Sequence, residues 1–140
     1  MAAPVIARST KSLQVEIEAG RHRFVADEPI EMGGADEGPT PYDYIAAALA
    51  ACTSMTLKIV AHREHIPLDG VQMKVTNDRM HAKDCADCMT DSGYVHRFTI
   101  EIHFEGELTE VQRARLQEIA GRCPVAKMLT SEIRIEKVFV

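Results

Sequence analysis

Four cysteines are the residues of this chain best suited to covalent or metal chemistry: Cys52 in "AALAACTSMTLKIV", Cys123 in "GRCPVAKML", and the pair Cys85 and Cys88 in "HAKDCADCM". Cys123 stands directly before Pro124, and proline suits the first position of a helix. A thiol at that cap meets free backbone N–H groups and the positive end of the helix dipole, which favours thiolate. Arg122 and Lys127 bring positive charge to the same segment. The plainer alternative is a cysteine that merely caps a bend. Cys52 has the opposite setting, a run of small and apolar residues in which a cysteine is commonly packed as a small hydrophobe. Thr53, Ser54 and Thr56 nevertheless bring hydroxyls to that run. Thiols far apart in sequence can meet in a fold, and such a pair has a definite chemistry. One thiolate attacks the O–O bond of a hydroperoxide and becomes a sulfenic acid; the second thiol condenses with it to a disulfide, which an external dithiol reduces. Apolar walls around the first cysteine would select a peroxide with an organic tail.

The CxxC spacing of Cys85 and Cys88 suits either a redox disulfide or two zinc ligands. A structural zinc site uses four groups, and there is no second CxxC; His81, His96 or a paired subunit would have to supply the rest. An exposed loop with incidental thiols is the third reading. His62 and His65 fall near the C-terminal end of an expected helix, where protonated side chains suit the last carbonyls, and His103 lies on the less apolar face of an expected strand. No glycine-rich nucleotide fingerprint and no HExxH is present, so dinucleotide and metalloprotease chemistry are not expected. No cofactor and no resident metal are assigned.

The elements that must position these thiols follow from periodicity. "SLQVEIEAG" places Leu13, Val15 and Ile17 on one face, Gly20 turns the chain and "RHRFVAD" returns it, which predicts a hairpin. "DEPIEMGGADEGPTP" reads as a loop. At its end Thr40 can cap, Pro41 fits the first helical position and Asp43 sets a carboxylate against free backbone donors. A helix is expected from about Pro41 to His65, nonpolar on most faces until Lys58. Something must cover it, and burial partly against another subunit is the reading adopted. Pro67 forbids continuation, and "VQMKVTN" resumes alternation with Val71, Met73 and Val75 on one side. The loop "DRMHAKDCADCMTDSG" leads to a strand, "YVHRFTIEIHFEGEL", where Phe98, Ile100, Ile102 and Phe104 alternate. A second helix begins near Thr109, with Gln112 as its capping-box partner and Leu116, Ile119 and Ala120 as its apolar stripe. Gly121 loosens its end, "PVAKMLT" forms a short third helix, and "SEIRIEKVFV" is expected as a closing strand with Ile133 and Ile135 on one face. The order is β-β-α-β-β-α-α-β, an α+β fold.

The chain of 140 residues suits one domain spanning 1–140. With 46% hydrophobic and 26% charged residues it has the composition of an ordered protein. It carries 21 acidic against 16 basic side chains, a formal charge of -5, and no basic cluster. That argues against a nucleic-acid binder, whose affinity comes from clustered positive charge. "MAAPVIARSTKSLQ" lacks a long apolar region, and Ile45 to Ala61 is interrupted by Thr53, Ser54, Thr56 and Lys58. Neither secretion nor membrane insertion is expected, and the cytoplasm is the expected location, where cysteines serve as thiols.

The chain resembles the OsmC/Ohr superfamily of organic hydroperoxide reductases and their relatives. "GGADEGPTPYDYIAAALAACTSMTL" resembles the loop, helix start and first reactive cysteine, and "RCPVAKML" the second cysteine segment. "HAKDCADC" with "QRARLQEIAGRCPVAKMLTSEI" resembles a subgroup with an extra DCADC motif that also occurs fused to α/β-hydrolases. The likeness covers about residues 10 to 140. It implies an OsmC/Ohr-like α+β fold, with a long central helix packed with antiparallel sheets in an intertwined homodimer and two active sites at the interface. It implies Cys52 as the peroxidatic and Cys123 as the resolving thiol, with an organic hydroperoxide as substrate and a lipoylated or thioredoxin-like dithiol protein as reductant. In the family's peroxidases a glutamate follows the proline at the helix start and pairs with an arginine of the N-terminal hairpin to activate the first cysteine. Here Tyr42 occupies the glutamate position, with Asp43 one residue later. Arg21 and Arg23 lie at the hairpin turn and Arg8 near the first strand; Tyr42, Asp43 and Arg21 are carried as activating or orienting candidates. Cys85 and Cys88 are a secondary, redox- or metal-sensitive pair. The alternative function is a noncatalytic small-molecule or metal-binding module using the dimer-interface pocket or the Cys85/Cys88 loop.

Overall fold

The computed structural model describes residues 3–140. The alternating N-terminal residues pair as an antiparallel meander of β1 (Val5–Ser9), β2 (Val15–Ala19) and β3 (His22–Ala26). The expected hairpin is β2–β3, in register Val15↔Ala26 to Ala19↔His22. Gly20 turns it with a φ of 61, a conformation in which a Cβ would be strained. Strand β1 is an addition to the expected order. All five of its residues are exposed, so backbone pairing to β2 holds it and no buried alternation announces it.

The loop after β3 is organised by one carboxylate. Asp27 is only 3% exposed. Its Oδ1 accepts the Glu28 N–H at 2.8 Å, and its Oδ2 accepts those of Ala35 at 3.3 Å and Glu37 at 3.1 Å. The N–H groups of Glu28 and Glu37, joined by Ala35 and opposed by desolvation, hold this carboxyl below the usual range. The loop closes so tightly that a Cβ on Gly34 would lie 1.9 Å from the Glu28 carbonyl oxygen. The Tyr44 hydroxyl donates to the Val25 carbonyl, and its ring tilts against Phe24 with centroids 5.3 Å apart.

Helix α1 (Pro41–Arg63) begins as its sequence predicts. Thr40 Oγ1 accepts the Asp43 N–H at 3.2 Å, and Asp43 Oδ2 accepts the Thr40 N–H at 2.9 Å. The helix stops at Arg63 rather than His65, which takes a left-handed φ of 57 as the chain turns ahead of Pro67. Two compact units divide the chain, one ending at Ile45 and one spanning Ala46–Val140, so the division falls inside α1.

In the second unit α1 buries Leu49, Thr53, Leu57 and Ala61, one residue per helical turn. Leu57 and Ala61 join Leu68, Phe104, Leu116 and Ile119 in the core, with Met73 and Ile102 packed beside them. Fully burying a leucine, isoleucine or phenylalanine side chain favours folding by about 1.5–3 kcal/mol. α1 has a mean hydropathy of 1.6 over its most apolar window and is long enough to cross a membrane by length and composition; its buried stripe belongs to this protein core.

Strands β4 (Gly70–His81) and β5 (Tyr94–Glu105) pair antiparallel, with Met73 opposite Ile102 and Val75 opposite Ile100. β4 continues through Asp78–His81, where the sequence predicts loop. Cross-strand pairs sustain it without apolar alternation: Arg97 donates to Asp78 at 2.6 and 2.9 Å, the His81 ring lies edge-on to Tyr94 at 5.2 Å, and Arg79 covers Tyr94 at 5.5 Å.

Helix α2 (Glu110–Ala120) has the expected capping box of Thr109 and Gln112, and α3 (Pro124–Leu129) follows. The expected closing strand does not form. Residues 132–140 have no regular structure, and Ile135 and Phe139 are 79% and 93% exposed. Alternation prepares an extended chain, but a strand also needs an edge to pair with, and neither the three-stranded nor the two-stranded sheet takes this segment. The architecture is α+β, with a long helix against antiparallel sheet.

Candidate functional site

Cys52 and Cys123 meet in the unit that begins at Ala46. α1 carries Cys52 at a half-buried position one residue before Thr53, which is 1% exposed. α2 is anchored in the core by Leu116 and Ile119, and Gly121 ends it so that Cys123 becomes the N-cap of α3 with φ -64 and ψ 122. Pro124 cannot donate a backbone hydrogen bond, and the Ala126 N–H reaches the Cys123 Sγ at 3.4 Å. Cys123 itself is 1% exposed. Both thiols are free.

The electrostatics of Cys123 reflect two opposed effects. Burial pushes its thiol up, whereas hydrogen bonds from the Thr53 hydroxyl, the Ala126 N–H, the Cys52 thiol and the Val125 N–H bring it down. The donors win, and the thiol ionises below the ordinary cysteine value. The Thr53 hydroxyl also donates to the Leu49 carbonyl at 2.9 Å. It has one hydrogen, so the Leu49 oxygen and a Cys123 thiolate compete for it.

The activating candidates lie in the unit ending at Ile45. The Asp43 carboxylate is engaged in capping α1 through Thr40. Tyr42 is 57% exposed on the same turn. Arg21 sits exposed in the β2–β3 turn, and Arg23 pairs with Glu18 across those strands at 3.2 Å.

Cys85 and Cys88 are disulfide-bonded to each other in the loop joining β4 to β5. The Asp87 carboxylate lies beside them, its Oδ1 3.5 Å from the Cys85 Sγ. Ligand atoms of Cys85, Asp87 and Cys88 all fall within 4.8 Å of one another. The histidines considered as zinc partners are outside that cluster: His81 Nδ1 accepts the Lys83 N–H at 3.4 Å, and His96 stands opposite Arg79 in the ladder.

Sequence reasoning noticed the Thr53 hydroxyl without giving it a role. Its signal was available: Thr53 is the one polar member of the i, i+4 series Leu49, Thr53, Leu57, Ala61. Asp87 and Asp27 carried no such signal, because acids in loops are ordinarily solvated.

The profile of the OsmC-like protein family matches residues 33–137. No functionally curated protein matches the sequence. Among solved structures, an OsmC-like protein from Mycoplasma pneumoniae is similar over 90% of this chain and 85% of its own, at TM-score 0.71 and 19% identity. The organic hydroperoxide resistance protein OhrB of Bacillus subtilis is similar over 93% and 91%, at TM-score 0.62 and 23% identity. The organic hydroperoxide resistance protein OsmC of Legionella pneumophila is similar over 91% and 88%, at TM-score 0.63 and 20% identity. At these identities the likeness bears on the fold.

Proposed function

The chain belongs to the OsmC-like protein family, and from that premise we propose that it reduces organic hydroperoxides with the Cys52 and Cys123 thiols. The observation that carries this reading is the contact between a half-exposed and a fully buried thiol, the buried one inclined to ionise. Accessibility divides the labour. Cys52 meets the peroxide, and Cys123, enclosed by Thr53 and the start of α3, resolves.

The Cys52 thiol donates a hydrogen bond to the Cys123 sulfur, which is held toward its thiolate. As that proton passes to the Cys123 thiolate, the Cys52 sulfur attacks the distal peroxide oxygen; the O–O bond breaks, Cys52 becomes a sulfenic acid and an alkoxide departs. The alkoxide takes the proton from Cys123 and leaves as the alcohol. The Cys123 thiolate, supported by the Thr53 hydroxyl and the Ala126 and Val125 N–H groups, then attacks the Cys52 sulfur and expels hydroxide, forming the disulfide. An external dithiol, from a lipoylated or thioredoxin-like protein, returns two electrons and two protons. By favouring the Cys123 thiolate that takes the Cys52 proton, these donors serve the activation that the glutamate–arginine clamp provides in the family's peroxidases, whose glutamate position Tyr42 occupies here. We place the reaction in a homodimer, in which a second copy covers the exposed apolar residues of α1.

The test is rapid-mixing oxidation of the reduced protein by an alkyl hydroperoxide and by hydrogen peroxide, with mass analysis of trapped products. Organic-selective oxidation yielding a Cys52–Cys123 disulfide, with sulfenic acid accumulating on Cys52 in C123S and no turnover in C52S, is expected. Oxidation without that linkage, or unaltered turnover in C52S, would overturn the reading.

A further inference from the structure

The proposed peroxidase cycle leaves the Cys85–Cys88 pair unused. The pair is not a lone thiol in a core: it is a CxxC whose sulfurs are brought together at the end of a two-stranded ladder of 12-residue strands, with a carboxylate on the same turn. Every ligand atom of Cys85, Asp87 and Cys88 lies within 4.8 Å of the others. The Cys85 Sγ to Asp87 Oδ1 separation is 3.5 Å. In a tetrahedral zinc site with Zn–S about 2.3 Å and Zn–O about 2.0 Å, the sulfur-to-oxygen edge is also about 3.5 Å. The turn is held by its own backbone, with the Cys88 N–H bonded to the Cys85 carbonyl and the Cys85 N–H to the Ala82 carbonyl.

The charge pattern separates a metal role from a thiol-exchange role. Reactive CxxC dithiols sit in electropositive surroundings that favour thiolate. Here Asp84 precedes Cys85 and Asp87 precedes Cys88. Two thiolates beside the Asp87 carboxylate would concentrate three negative charges within 4.8 Å, which a divalent cation relieves and water alone does not.

We propose that the β4–β5 loop is a redox-gated binding site for a zinc-class divalent cation, with Cys85 Sγ, Cys88 Sγ and an Asp87 carboxylate oxygen as its three protein ligands. The disulfide is the closed state. A dithiol reductant breaks the Cys85–Cys88 bond, supplying two electrons and two protons and leaving as its own disulfide. The cation then binds both sulfurs and releases the two thiol protons. Two thiolates and a carboxylate fill three tetrahedral positions; the fourth stays open for water or an incoming ligand, the pattern of an exchangeable rather than a closed structural site. His81 is not the fourth ligand in this arrangement, because its Nδ1 is engaged by Lys83 and its ring is packed on Tyr94.

The experiment uses the full chain, reduced with a phosphine that is oxidised in place of the disulfide, desalted without air, and titrated with Co(II) and then Zn(II). The reduced protein is expected to take one Co(II) per chain with a thiolate-to-cobalt charge-transfer absorption that Zn(II) abolishes, while the oxidised protein takes none. C85S and C88S lose that absorption, and C52S/C123S keeps it. D87N weakens binding by about tenfold or more, the scale on which even outer partners of a metal ligand act. Absence of the absorption in the reduced protein, its survival in C85S/C88S, or equal uptake by the oxidised form would overturn the proposal. An unchanged affinity in D87N would remove the carboxylate from the site. Comparison of the two redox states of one protein needs no variant to fold, and failure here leaves the Cys52–Cys123 reaction untouched, since that is read by its own disulfide.

Discussion

At Cys123 the thiol is more deeply buried than Cys52 and yet ionises more readily than an ordinary cysteine, because donors outweigh desolvation. The Thr53 hydroxyl is the side-chain donor that a conservative change can remove without altering shape. T53V in a C52S background is expected to raise the Cys123 thiol, since burial remains and a donor is lost. Thiolate absorbance against pH reads this directly; an unmoved titration would assign the effect to the Ala126 and Val125 N–H groups alone. Cysteine chemistry was legible at this scale from residue type and from Pro124 after Cys123. The Thr53 contact was not, because it joins a helix interior to a cap far along the chain.

At the scale of elements, caps and loop anchors decide where structure begins. The α2 capping box is reciprocal, with Thr109 Oγ1 accepting the Gln112 N–H at 3.2 Å and Gln112 Oε1 accepting the Thr109 N–H at 2.9 Å. T109A should cost about 0.5–2 kcal/mol in urea unfolding, with T109S restoring most of it; a loss below this range would mean that core packing alone sets the start of α2. In the β3–α1 loop, Asp27 ionises below the usual carboxylate range. A depressed folded value contributes stability that is full above the unfolded value, about 3.9, and disappears as pH falls through the folded one. The stability gap between wild type and D27N should therefore narrow as pH is lowered through that window, and a gap constant with pH would sink the assignment. The α2 cap, like that of α1 at Thr40 and Asp43, was readable from sequence because it is local. The Asp27 anchor was not, since its partners Ala35 and Glu37 are reached only when the loop closes.

For the molecule as a whole, the apolar surface is the question. In the second unit Met55 and Ile59 are 63% and 57% exposed on α1, and Ile135, Val138 and Phe139 are more exposed still. An apolar helix face and an extended apolar tail left in water fit the proposed homodimer. Light scattering on the eluting protein should give twice the 15.5 kDa chain mass, and I59D should shift it toward the monomer. A monomeric wild type would overturn the dimer while leaving the chemistry of the thiol pair to its own test.

The sequence by itself determined the elements whose signals are local: the capped starts of α1, α2 and α3, the β2–β3 hairpin, and the alternation that became the β4–β5 ladder. It also marked the cysteines, and the order of two motifs pointed to a family. Tertiary structure decided what depends on partners distant in the chain. β1 forms because β2 offers it an edge; the tail stays unpaired because no edge receives it. β4 runs on to His81 because Asp78, Arg79 and His81 find partners across the ladder. The Cys123 thiol is tuned by Thr53 and Cys52, which only the packing of α1 against the start of α3 brings to it. Periodicity states what a segment can do locally; pairing and burial decide whether it does.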